Sequence, residues 1–84
     1  MNDAIFERLK SCIVPLLRDC DPDRIVPQAH LRDDLEVDSM FMVESAVAME
    51  DEFGLNEIKD EDVAKFRTIG DMVTFIKDRL SSER

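Results

Sequence analysis

Eighty-four residues, 44% of them hydrophobic and 37% charged, suit one small globular domain and not a disordered chain. A domain of this length buries only about 60 to 65% of the surface its unfolded chain exposes, so its core is thin. The net charge of −9 is concentrated: residues 33 to 62 hold twelve acids against one base, Lys59, while the rest of the chain is slightly basic. That field repels phosphate backbones and lipid headgroups, excluding nucleic acid as a partner and favouring basic protein surfaces.

The N-terminal stretch MNDAIFERLK mixes acids and bases and lacks the apolar centre of a signal peptide. No apolar run approaches the roughly 18 residues that suggest a membrane span. A cytoplasmic chain without stable membrane insertion is therefore expected. Ile5, Leu9, Ile13 and Leu16 recur at helical spacing, which predicts a first helix from about Asp3 into residues 14 to 18. Pro15 lacks an amide hydrogen and crowds the carbonyl of Ser11, so a kink or a loosened last turn is expected there. The two cysteines, Cys12 and Cys20, are too few for a disulfide framework or a four-ligand zinc site. Cys12 reads as a reduced, packed thiol and Cys20 as a loop thiol.

RDCDPDRIVPQAH is a loop by its prolines and alternating charges. Asp19, Asp21 and Asp23 have the spacing of the first calcium-loop ligands, but Arg24 stands where the turn requires glycine and His30 where a bidentate glutamate belongs. No metal site is expected. Ile25, Val26, Leu31 and Leu35 are expected to anchor the loop to the core. The only histidine, His30, has neither a second histidine nor a cysteine nearby and reads as a surface or packing residue.

A second helix fits residues 39 to 53 and ends at Gly54. A helical wheel puts Met40, Val43, Ala46, Val47, Met49 and Phe53 on one broad half, predicted to be the buried one, and Glu44, Ser45, Asp51 and Glu52 on the other. Phe41 falls on the polar half beside Ser39. It is either a contact residue for a partner or an aromatic folded back over the helix end. A short helix is predicted near Asp60 to Lys65, with Ile58, Val63 and Phe66 pointing inward. Thr68 and Asp71 have capping-box spacing and open a last helix with the buried stripe Ile69, Met72, Val73, Ile76 and Leu80. The fold class is all-α: a small four-helix bundle of three principal helices and one short one, a single domain over residues 1–84, with negligible β content.

Ser39, in DDLEVDSMFMVE, lacks what an enzyme nucleophile needs. No base held by a third group is in evidence beyond His30, and no glycine-flanked elbow exposes the hydroxyl. Two glycines sixteen residues apart cannot form a phosphate-cradling loop. A non-catalytic protein is expected, with Ser39 either a helix cap or a reagent for another protein's active site. If it is only a cap, the chain is a small acidic helical adaptor that binds basic proteins without a prosthetic group.

From Leu31 to Phe53 the chain resembles acyl carrier proteins, the carriers of fatty acid and polyketide synthesis, and it does so more weakly before residue 30. The tripeptide Asp38-Ser39-Met40 stands for the family's Asp-Ser-Leu. Leu35 precedes it, Val43-Glu44 follows, and Glu50, Asp51 and Glu52 lead to Phe53; Thr68-Ile69 resembles the opening of the family's last helix. The resemblance implies a 4'-phosphopantetheine arm from coenzyme A, attached to Ser39 by a phosphopantetheinyl transferase and carrying acyl groups as thioesters. It implies that Asp38 orients the site for transfer. Glu36, Glu44, Asp51 and Glu52, with Phe41 and Met42, would meet basic patches on the transferase, acyl-transferring and synthase enzymes, with the carrier itself a monomer. An acyl chain would be sheltered over Val43, Val47, Phe66 and Ile69. Glu36 and Val37 stand where the family has glycine and a small residue, and Phe41-Met42 replaces a polar pair. These departures suggest a specialised member.

Overall fold

The computed structural model describes residues 4–17 and 21–82. The expected helix start at Asp3 and the thiol of Cys20 lie outside the described residues. The described chain is a bundle of four α-helices: α1 (Ala4–Ile13), α2 (Ser39–Phe53), α3 (Asp60–Val63) and α4 (Ile69–Ser82). The described residues include no strand, only one isolated bridge between His30 and Thr68.

Helix α1 buries Leu9 and Ile13 and half-buries Ile5, Phe6 and Cys12. The predicted loosening at Pro15 takes the form of a single 3-10 turn over Val14–Leu16, closed when the Leu17 amide donates to the Val14 carbonyl at 3.1 Å. Proline fits the first turn of such a helix because no amide hydrogen is required of it there. A second 3-10 turn, Pro22–Arg24, is capped by the Asp21 carboxylate, which accepts from the Asp23 amide at 2.9 Å. The acid spacing that suggested calcium ligands thus includes a turn cap.

The loop that follows is pinned to the start of α4. Leu31 donates its amide to the Arg67 carbonyl at 2.8 Å, Ile69 to Ala29 at 3.1 Å and Gly70 to Pro27 at 2.7 Å. A Cβ at Gly70 would stand 3.0 Å from the Pro27 carbonyl oxygen, a tighter contact than side chains ordinarily make, so glycine suits this close approach. Ile25, Leu31 and Leu35 are buried as expected. Val26 is not: it is 37% exposed on a turn that points it outward, and Ala29 takes the interior place instead.

Helix α2 has the predicted ends, but its buried face is rotated from the predicted one. Ala46, Met49 and Phe53 are inside as expected; Met40, Val43 and Val47 are instead 63%, 60% and 52% exposed, and Phe41 and Ser45 from the predicted polar half take their place. The helix is apolar on two sides, and contact with α1 and α4 selects the side that carries its two phenylalanines, whose burial removes the most apolar area. Ser45 sits among them without penalty because its hydroxyl donates to the Met42 carbonyl at 2.9 Å. Gly54 ends the helix in the left-handed region, with φ of 63°.

The remaining elements follow the sequence closely. Helix α3 is one turn, with Ile58 and Phe66 buried and Val63 half-buried. At α4 the Asp71 amide donates to the Thr68 hydroxyl at 3.1 Å, while the Asp71 carboxylate accepts from the amides of Thr68 at 3.1 Å and Arg67 at 2.9 Å. Ile69, Met72, Val73 and Ile76 are buried, and Leu80 packs half-buried at the edge.

Glu36 is the one described residue besides glycine with positive φ, at 54°. A side chain in that region crowds its own backbone, at a cost of about 1 kcal/mol or more. Glu36→Gly is therefore expected to raise the unfolding free energy by about 1 kcal/mol, measured by urea denaturation. An unchanged midpoint would show that the turn carries no strain.

Candidate functional site

Ser39 is the first residue of α2 and is exposed. The helix cap is Asp38: its backbone is extended, with φ of −106° and ψ of −179°, and its carboxylate accepts from the Phe41 amide at 2.8 Å. The cap-only account of Ser39 is overturned by this geometry. The serine hydroxyl stands at the positive end of a fifteen-residue helix without being needed to start it.

Two concavities flank this helix start. One, of about 270 Å³, runs from Ser39 toward α3 between Met42 and Val43 on one wall and Val63, Ala64 and Phe66 on the other, with Arg32 and Asp60 at its rim. The other, of about 380 Å³, faces the 3-10 turn that follows α1; its apolar lining includes Leu16, Leu17, Leu35 and Phe41, and Glu36, Asp38 and Glu44 supply its acids.

The predicted acyl-shelter residues divide between different places. Val43 and Phe66 line the cleft beside Ser39. Val47 does not line it and is half exposed on the outer face of α2, and Ile69 is fully buried in the core at the start of α4. Met42 is half-buried and lines the cleft, so it faces the cleft as well as the surface. Sequence reasoning missed Val63, Ala64 and Arg32 as cleft residues. Val63 was visible as an apolar residue near the short helix, but nothing local placed it opposite Ser39.

The predicted docking residues divide as well. Glu36, Glu44 and Asp51 are exposed. Phe41 is 3% exposed, so it packs inward over the helix start and offers no surface to a partner. Glu52 is engaged within the chain: its carboxylate accepts from Arg8 Nε at 2.9 Å and its carbonyl from Arg8 Nη2 at 2.6 Å, with the guanidinium 4.5 Å over the Phe53 ring. Met40, Val43 and Val47, assigned to the core from sequence, instead form an exposed apolar stripe at helical spacing beside Glu44 and Asp51.

Cys12 donates its thiol to the Leu9 carbonyl at 3.2 Å. Burial pushes the thiol up from its ordinary value, and the nearby Glu52 carboxylate adds to the effect. The expected result is alkylation at neutral pH about tenfold slower than that of an exposed thiol, measured by iodoacetamide labelling and peptide mass analysis. Because the unfolded thiol ionises first, the stability linked to Cys12 is lost as pH rises above about 9.

Residues 7–76 match the family described as the phosphopantetheine attachment site. The chain is 37% identical over 83 residues to an acyl carrier protein of Thermosynechococcus vestitus, an alignment that covers 98% of this chain and all of that one. It is 49% identical over 57 residues to the meromycolate extension acyl carrier protein of Mycobacterium leprae, which covers 68% of this chain and 49% of that protein. The alignment thus takes in about half the length of the mycobacterial relative.

Proposed function

This chain belongs to the phosphopantetheine attachment-site family and is a non-catalytic acyl carrier, and from that premise we propose that Ser39 is where it bears its 4'-phosphopantetheine. The observation that carries the assignment is the division of labour at the start of α2. Asp38 does the capping, which leaves an exposed serine hydroxyl beside an apolar cleft. Family membership also decides against the adaptor without a prosthetic group.

The residues present fit the group. A phosphodiester on Ser39 would lie at a helix N-terminus, where negative charge is favoured. When bound, the arm supplies the thiol on which acyl groups ride as thioesters in fatty acid or polyketide synthesis. The protein's own contribution is position and shelter: Asp38 fixes the helix start and the direction of the serine, and Met42, Val43, Val63 and Phe66 offer an apolar wall to an acyl chain. Such shelter is reversible because the cleft is shallow and open along one side.

Recognition by partner enzymes is assigned to the outer face of α2. Met40, Val43 and Val47 would enter apolar depressions, while Glu44, Asp51 and Glu36 steer basic patches of the transferase and of acyl-transferring and synthase enzymes. The oily docking pair once expected at Phe41 and Met42 is replaced by this stripe. Residues 1–84 act as one carrier domain, monomeric and cytoplasmic, where such partners work; no described helix is long and apolar enough to cross a membrane. Incubation with coenzyme A, magnesium and a broad-specificity phosphopantetheinyl transferase tests the reading. The intact mass is expected to rise by one phosphopantetheine, and a chain left unmodified by several such transferases would overturn it.

A further inference from the structure

We propose that Arg79, on α4, is a positioning residue that sets how far the cleft beside Ser39 opens, and hence which acyl chains it holds. This rests on the carrier reading above for its cargo, but the latch itself is a property of the unmodified chain. The outer wall of the cleft is Val63, Ala64 and Phe66, carried by α3 and the turn after it. A four-residue helix does not hold its own shape in water, so the wall depends on what ties it to the bundle.

Arg79 holds that wall at two points. Its Nη2 donates to the Asp62 carboxylate at 3.3 Å, and Nη1 reaches the Glu57 carbonyl at 3.5 Å, just before α3. Its guanidinium also lies 4.7 Å over the Phe75 ring, which meets Phe66 edge to face at 5.2 Å. One side chain thus touches the helix that carries the wall and, through Phe75, braces the aromatic within it. The side chains of Arg79 and Asp62 are only 23% and 21% exposed, against 51% and 38% for Arg8 and Glu52. Solvent therefore screens the Arg79 pair less than the pair on the α1 side. Asp62 also accepts from the Lys59 amide at 3.3 Å, so the same carboxylate organises the start of α3 and its tie to α4.

The amides of Val63, Ala64, Lys65 and Phe66 are hydrogen-bonded within this turn, which makes its opening measurable by hydrogen exchange. In the unmodified chain, Arg79→Gln is expected to speed exchange at residues 63–66 about tenfold while the amides of Leu9, Met49 and Ile76 keep their protection. Arg79→Lys, which restores the charge without the planar fork, should give an intermediate rate. In the loaded protein, Arg79→Gln should speed hydroxylamine cleavage of a medium-chain thioester about threefold and leave an acetyl thioester unchanged, since only the longer chain reaches the wall. No change at residues 63–66, or acceleration spread evenly over the core, would overturn the latch. Faster exchange at α3 with both thioesters cleaved alike would overturn its control of cargo. The exchange measurement needs no arm, so failure to load Ser39 would count against the carrier reading and leave the latch to be judged on its own.

Discussion

Ser39→Ala is expected to abolish phosphopantetheine loading completely while changing the unfolding free energy by less than about 0.5 kcal/mol. Both halves follow from the same geometry. The hydroxyl is the proposed acceptor, so no acceptor remains once it is removed. The helix start, however, is held by the Asp38 carboxylate on the Phe41 amide, and alanine is a good residue for a first helical turn. The contrasting variant is Asp38→Ala, which removes the cap and should cost about 1 kcal/mol. Urea denaturation followed by circular dichroism, with intact mass after transferase treatment, separates the two roles. A Ser39→Ala chain that unfolds, or one that still gains the arm, would break the assignment.

Phe41→Asp is expected to have the largest effect on stability, a loss of at least about 4 kcal/mol. Phe41 is almost wholly buried at the head of α2. Its replacement removes a large apolar side chain and forces a carboxylate into the same space. Domains of this kind are stable by about 0.05 to 0.15 kcal/mol per residue, so such a loss takes much of the total. Val47→Asp, six residues along the same helix, should leave the denaturation midpoint nearly unchanged because Val47 is 52% exposed. It should instead slow loading by the transferase, since it interrupts the apolar stripe of the docking face. If Phe41→Asp stayed folded and slowed only one partner, Phe41 would be a surface contact and the face assigned to the core would be wrong.

That pair of residues also marks the limit of what the chain reveals by pattern. The ends of α2 were legible because they are local: the acid before Ser39 caps, and Gly54 accepts a left-handed conformation. The opening of α4 was legible for the same reason, since Thr68 and Asp71 satisfy each other within four residues. The inward face of α2 was legible only in part: Ala46, Met49 and Phe53 lie inside as the helical wheel placed them, but Met40, Val43 and Val47 do not, and Phe41 and Ser45 do. Met40, Val43 and Val47 form as good an apolar stripe as Phe41, Ala46, Met49 and Phe53, and Ser45 interrupts the second. Only the packing of α1 and α4 settles which one is covered, and a buried serine bonded to its own helix leaves no mark in periodicity.

The site itself was half legible. Ser39, Asp38 and the acids around them could be named from their order along the chain. The cleft was named only at Val43 and Phe66, through the family resemblance; Val63 and Ala64 could not be, because they come opposite Ser39 only through the turn that brings α3 back across α2. Likewise Glu52 looked like one more acid of the docking field until Arg8, 44 residues away, was found holding it. Glu36 is of a third kind: the glutamate itself gives no sign of strain, but it stands where the family has glycine, and its φ of 54° supplies the physical reason for that glycine.

The central claim, that Ser39 and no other residue receives the arm, is tested most directly by loading the wild-type chain and localising the added mass by fragmentation. The chain also contains Ser11, Ser45, Ser81 and Ser82, so the measurement has real alternatives to choose among. The account predicts one phosphopantetheine per chain, wholly on the fragment ion series that includes Ser39. An arm found on any other serine, or a chain that stays unmodified, would contradict it.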